Sequence, residues 1–195
     1  MSFILGLTGP TGSGKSALSK KATEKGFYVL DCDKIARKAV EIDECKEKLK
    51  SVFGKDIFDE NRNLIRPLLA EKAFKTPIKT ELLNRAIFPF ITRLIEEEIN
   101  ASKAEKILLD APTLYESGMD KICSAVIAIL ADKDIRLKRI ISRDKIDETA
   151  ALIRINAGKR EDYYKEKTPY ILYNNGEIEE LYKNFENIIN EIFGG

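Results

Sequence analysis

Residues 9–16 read GPTGSGKS and match GxxxxGK(S/T) through Gly9, Gly14, Lys15 and Ser16. That spacing suits a polyphosphate. Consecutive backbone N–H groups wrap the phosphate oxygens, and the N-terminus of the following helix adds a fixed positive dipole. Lys15 is placed to reach the β and γ oxygens of ATP and the Ser16 hydroxyl to hold Mg²⁺, while Gly12 and Gly14 let the backbone approach with no Cβ in the way. The bland alternative is a glycine-rich turn without a ligand, and the motif's setting between an apolar strand and a helix argues against it. The loop alone names no reaction, because GTPases, motor ATPases and small-molecule kinases share it. No NKxD-type guanine-reading segment is present, which disfavours a GTPase.

Several acids and arginines stand where such a loop would need them. Asp31-Cys32-Asp33 follows the second apolar run, at the carboxyl edge of a sheet, where α/β proteins place ligands. Asp33 is the expected acid for the acceptor, able to orient a hydroxyl and take its proton or to join the Mg²⁺ shell. Its plainer reading is a cap on the helix KIARKAV. Asp110 ends KILLD and matches the strand-end acid that holds Mg²⁺, usually through water, in phosphate-loop proteins; an ordinary strand-end acid is the alternative. Glu116, in APTLYESG, could touch the acceptor or stabilise its own loop. Downstream, Arg136, Arg139, Arg143, Arg154, Lys159 and Arg160 gather in a region that reads as helix, turn, helix. Arginine suits charge spread over a transferring phosphoryl group, and a mobile lid brings such groups in while excluding water. Each is alternatively a solvated surface charge; their place after the fourth strand lifts Arg139 and Arg143 above that background.

Short apolar runs supply the frame. FILGLT at 3–8, FYVL at 27–30, KILLD at 106–110, SAVIAIL at 124–130 and YILY at 170–173 read as strands, the first three bounded by glycine, proline or acid. ALSKKATEK joins the first two as a helix closed by Gly26, a βαβ-type opening. About seventy residues of helical character separate the second and third strands, too many for a simple crossover, so an inserted helical region is expected at about 43–102. Within it Asp43 is the expected cap of ECKEKLKSVF with Gly54 its stop. Pro67 starts LLAEKAF, and Thr76-Pro77 starts a helix to about Ser102 that Pro89 kinks or divides. Ile178, Leu181, Tyr182, Phe185, Ile188, Ile189 and Ile192 recur at helical spacing, a stripe that faces the sheet.

Composition narrows the chemistry further. The 195 residues carry 33 basic and 32 acidic side chains, a formal charge of +1, which gives a nucleic-acid role little support. There is no histidine, so imidazole-based triads and the usual Cys/His zinc sites cannot be built. Cys32, Cys45 and Cys123 form no CxxC pair. No run approaches the ~20 apolar residues of a bilayer span and no signal-like leader is present, so a single cytoplasmic domain without a membrane partner is expected.

With these residues in view, the chain resembles the dephospho-CoA kinase family over almost its whole length. The matching blocks, in order, are LTGPTGSGKS, VLDCDKIARKAV, IFPFI, LDAPTLYESG, RLKRIISRD and YNNG. The resemblance implies a phosphate-loop α/β fold with a five-stranded parallel sheet flanked by helices, a helical acceptor-binding insertion, and a lid at about 136–162. It implies ATP-dependent phosphorylation of the ribose 3′-hydroxyl of dephospho-CoA to CoA, with ATP and dephospho-CoA as the small-molecule partners. By similarity, Gly12, Ser13, Gly14, Lys15, Ser16 and Ala17 bind ATP, Asp33 serves the acceptor hydroxyl, Arg139 and Arg143 face the phosphates from the lid, and Asn174 lies near the adenine. The chain departs from the family where His-Pro becomes Phe88-Pro89, where an LLFE-like block becomes TLYE at Thr113 to Glu116, where a glutamine becomes Gly158, and where an acid becomes Tyr173. Two rivals stand beside this reading: another nucleotide or small-molecule kinase, and a nucleotide-binding regulatory protein with a decayed acceptor site.

Overall fold

The computed structural model describes residues 2–194. Their contacts form two compact units, one made of the stretch ending at Leu30 together with the stretch that begins at Ala104, the other of Asp31–Lys103.

The first unit is built on a sheet. Strands β1 (Phe3–Thr8), β2 (Tyr28–Asp31), β3 (Lys106–Asp110), β4 (Ala125–Leu130) and β5 (Tyr170–Tyr173) lie in the order β2-β3-β1-β4-β5. The sheet is parallel, as in the pairings of β1 with β3, β1 with β4 and β4 with β5. The first strand in sequence is therefore the central one, and the chain moves to one side of it for β2 and β3 and to the other for β4 and β5. Such a reversal opens a crevice at the carboxyl ends of the strands. The register sets Leu7 of β1 beside Asp110 of β3, so the strand-end acid is level with the start of the glycine-rich loop.

Both faces of this sheet are covered, which explains the unbroken apolar strands. Helix α1 (Lys15–Glu24) buries Leu18 and Ala22 against Leu5, Leu7, Leu108, Ile127 and Ile129. It ends at Lys25, and Gly26 follows with φ +81°. The C-terminal α9 (Ile178–Gly194) presents the expected stripe: Leu181 and Phe185 are fully enclosed, with Ile178, Tyr182, Ile188, Ile189 and Ile192 packed around them. Between β4 and β5 lie α6 (Lys133–Asp144), α7 (Glu148–Ala157) and the short α8 (Glu161–Lys165). Helices α6 and α7 share a small core of Ile140, Ala151 and Ile155.

The second unit is helical: α2 (Cys32–Ala39), α3 (Asp43–Phe53), α4 (Arg66–Ala73) and α5 (Pro77–Ala101) enclose Cys45, Leu49, Phe53, Ile57, Leu69, Ala73 and Ala86. Burial pushes the Cys45 thiol up to about 11.

Two expectations about helix ends are corrected here. The cap of α2 is Asp31, still extended, whose Oδ1 accepts from the Lys34 N–H at 3.0 Å; Asp33 lies within the first turn and is not the cap. The residue before α3 is Ile42, so Asp43 is its first helical residue, where its charge complements the positive end of the helix dipole instead of filling an orphan N–H as a cap. Of the two outcomes expected at Pro89, a kink or a division, the division does not occur: α5 runs on through it for 25 residues. Thr76 caps that helix as expected, accepting from the Lys79 N–H.

Candidate active site

The loop after β1 takes its shape from three glycines with positive φ: Gly9 at +143°, Gly12 at +79° and Gly14 at +109°. Neighbouring atoms reinforce the demand. A Cβ on Gly9 would stand 2.1 Å from the Ile129 carbonyl oxygen, and one on Gly14 2.1 Å from Asn174 Nδ2. Gly14 is also the residue from which α1 starts, in a left-handed conformation and without a side-chain cap. No side chain caps the start of α1, the end at which helices bind phosphate. Ser13 is wholly buried, and its hydroxyl finds no partner among the described residues. A buried hydroxyl left open at the centre of such a loop fits an oxygen-rich ligand such as a nucleotide's phosphates. Lys15 bends over the loop, its ammonium donating to the Gly9 carbonyl at 2.7 Å and the Pro10 carbonyl at 3.4 Å.

Ser16 and Asp110 are the candidate oxygen donors for a cation. Ser16 is exposed on the first turn of α1. One turn later Ser19 donates its hydroxyl to Asp110 Oδ2 at 2.6 Å, which brings the strand-end acid against the helix that carries Ser16. A hydroxyl and a carboxylate are hard oxygen donors of the kind Mg²⁺ takes, in ones and twos, alongside phosphate oxygens.

Behind the loop stands a set of donors that the sequence reading did not separate. Asn174, buried at the end of β5, donates through Nδ2 to the Ser13 carbonyl at 2.7 Å and accepts through Oδ1 from Arg139 at 3.2 Å. The Arg139 guanidinium also lies 3.5 Å from the carbonyls of Gly12 and Ser13. Arg136 Nε donates to the Thr11 carbonyl at 3.1 Å. Asn174 and Arg139 thus meet each other and the loop.

Arg143 is elsewhere. Exposed on the last turn of α6, it makes a two-pronged pair with Asp144 at 2.7 and 2.9 Å, and Asp144 is also paired with Arg154 of α7. The two lid arginines singled out together therefore differ in their contacts: Arg139 backs the loop, and Arg143 pairs with its helix neighbour Asp144, which Arg154 joins from α7. Glu116 belongs to a tyrosine cluster; burial first, then the neighbouring Glu116 carboxylate, hold the Tyr163 phenol up at about 12. Tyr173 donates to Glu161 at 2.6 Å. Asp33 stands in the helical unit, exposed on the first turn of α2.

Sequence reasoning misses Ser19, and it counts Arg136 in the arginine cluster without singling it out. Arg136 could have been found from spacing, since 136, 139, 140 and 143 share one face of α6, and the buried Ile140 marks that face as the inner one. Ser19 carries no such signal, because a serine among KSALSKK reads as surface.

Comparison with known proteins bears on the whole chain. A family profile described as dephospho-CoA kinase matches residues 3–180. A protein named dephospho-CoA kinase from Fusobacterium nucleatum is 38% identical over 185 residues, covering 94% of this chain and 95% of its own length. A crystal structure from Thermus thermophilus superposes with a TM-score of 0.83 at 28% identity, over 97% of each chain. The structure of dephospho-CoA kinase from Campylobacter jejuni does so with 0.68 at 27% identity, over 98% of each. With its phosphate loop, its sheet order and these matches taken together, the chain belongs to the dephospho-CoA kinase family.

Proposed function

We propose that the chain transfers the γ-phosphoryl group of ATP to the ribose 3′-hydroxyl of dephospho-CoA, giving CoA and ADP, the last step of coenzyme A synthesis. The observation that carries this reading is the glycine-shaped loop opening on the uncapped start of α1, with the Ser13 hydroxyl buried and unpartnered inside it, in a chain of this family. In the proposal Gly9 and Gly12 to Ala17 line the phosphates, and Lys15 exchanges its loop carbonyls for β and γ oxygens. The Ser16 hydroxyl and the Asp110 carboxylate hold Mg²⁺, whose chemistry when bound is to neutralise charge on the β and γ phosphates. Asp33 takes the proton of the acceptor hydroxyl. Arg139 and Arg143 stabilise charge from the lid at 136–162, Asn174 lies by the adenine, and the helical segment at 43–102 receives the acceptor. No helix among the described residues is long and apolar enough to cross a membrane. The reading places the chain in the cytoplasm, with ATP and dephospho-CoA as its partners.

The test is an acceptor panel. Purified protein with MgATP is expected to convert dephospho-CoA to CoA much faster than it phosphorylates AMP, CMP or shikimate. Preference for one of those acceptors overturns the substrate. ATP binding with no transfer to any ribose hydroxyl overturns the enzyme reading in favour of a regulatory nucleotide-binding protein.

A further inference from the structure

A loop that turns its N–H groups toward a ligand turns its carbonyls the other way, and buried carbonyls need partners. In this chain three successive carbonyls, those of Thr11, Gly12 and Ser13, are met by side chains of α6 and the end of β5. Asn174 and Arg139 serve Gly12 and Ser13. Thr11 is served by Arg136, at 3.1 Å through Nε.

The element carrying Arg136 is itself fixed at that point. One turn before it, Asp132 and Asn175 bond reciprocally, the Asp132 N–H donating to Asn175 Oδ1 and Asn175 Nδ2 donating to Asp132 Oδ1, each at 2.9 Å. One turn after it, Ile140 is fully enclosed. Gly12 packs on the same surface, where an added Cβ would come within 3.0 Å of the Arg136 carbonyl oxygen and 3.1 Å of Ile140. Arg136 is half-buried, and the loss of water around it lowers its pKa from the ordinary arginine value. A desolvated guanidinium makes its remaining hydrogen bonds count for more.

From this arrangement we propose that Arg136 is a positioning residue for triphosphate binding, holding the phosphate loop in its ligand-ready shape through the Thr11 carbonyl. The inference deepens the proposed ATP site and rests on that reading. It makes a specific chemical demand. The bond uses Nε, four atoms out from Cα, and a glutamine places an amide nitrogen at that same distance. Lysine places its ammonium one atom further and carries the charge instead. If the hydrogen bond matters, Arg136→Gln keeps function; if the charge matters, Arg136→Lys does.

The experiment measures binding of tripolyphosphate, which has phosphates and no base or ribose, by titration calorimetry, together with KM for MgATP and for dephospho-CoA. Arg136→Met is expected to weaken tripolyphosphate about tenfold, the scale of one hydrogen bond to a charged group. The KM for MgATP should rise in parallel and that for dephospho-CoA stay within about twofold, with Arg136→Gln close to the parent. Unchanged tripolyphosphate affinity in Arg136→Met overturns the proposal, as does a shift of both KM values together. If Arg136→Met fails to fold, the Gln and Lys variants decide the matter: tighter binding by Lys than by Gln overturns it. A parent that prefers another acceptor, yet loses tripolyphosphate on Arg136→Met, would refute the substrate reading and leave this inference standing.

Discussion

Ser19 and Asp110, 91 positions apart in sequence, are joined by a hydroxyl-to-carboxylate hydrogen bond of 2.6 Å between α1 and the end of β3. The serine hydroxyl also lies 3.2 Å from the Lys15 carbonyl, but it has one proton, and the shorter, charged acceptor takes it. Ser19 therefore fixes the Oδ2 oxygen of the carboxylate proposed to hold Mg²⁺. Loss of such an outer partner typically costs about tenfold in metal affinity. Ser19→Ala should raise the Mg²⁺ concentration giving half of the full thermal shift with ATP by about that factor, and Ser19→Thr should restore it. An unchanged Mg²⁺ requirement in Ser19→Ala would show that the bond is only structural.

Gly9 and Gly14 should tolerate no side chain, for different reasons. At Gly9 the obstacle is the Ile129 backbone carbonyl, which cannot move without disturbing β4. At Gly14 it is the Asn174 amide, whose displacement would break its 2.7 Å bond to the Ser13 carbonyl and its contact with Arg139. Positive φ adds strain of about 1–3 kcal/mol at each. Gly9→Ala should therefore lower the melting temperature more than Gly14→Ala, and both should lose most ATP affinity. A Gly14→Ala protein that binds ATP normally would contradict the loop geometry.

Asp31 and Asp33 make a paired comparison. Asp31 caps α2, so Asp31→Ala should cost about 1 kcal/mol in urea denaturation. Asp33 does not cap, and on the proposed role Asp33→Asn should reduce turnover about a hundredfold while ATP affinity persists. Turnover of Asp33→Asn equal to the parent's would remove that aspartate from the chemistry.

The strands, the phosphate loop and the helix-ending glycines were legible because each is dictated locally. An apolar run of five residues has few other homes, and a left-handed turn at Gly26 or Gly54 follows from the missing Cβ. Caps were less legible: Asp31, Asp33 and Asp43 are chemically equivalent candidates, and which one stays extended depends on where β2 ends and α3 begins. Which loop carbonyl each backing side chain meets was not legible. The bonds join Arg136 to Thr11 and Asn174 to Ser13 over 125 and 161 positions, and only the sheet order that sets β4 beside β1 and β5 beside β4 brings them together.

Asp144 offers a test of the α6–α7 tie by titration. The Arg143 guanidinium, and after it Arg154, hold its carboxyl below the ordinary aspartate range. A group whose folded pKa is depressed contributes stability in full above its unfolded value, about 3.9, and loses it as pH falls through the lower folded value. The tie between the two helices should thus be intact at neutral pH and release only in acid below about pH 4. Carbon NMR of the Asp144 carboxyl should give a midpoint below that of an unpaired aspartate. Arg143→Ala should raise the midpoint toward the ordinary value, and Arg154→Ala should raise it less, since Arg143 makes the larger contribution. An equal midpoint in the parent and Arg143→Ala would mean that the guanidinium does not rest on Asp144 in solution, leaving Arg143 unrestrained by that carboxylate.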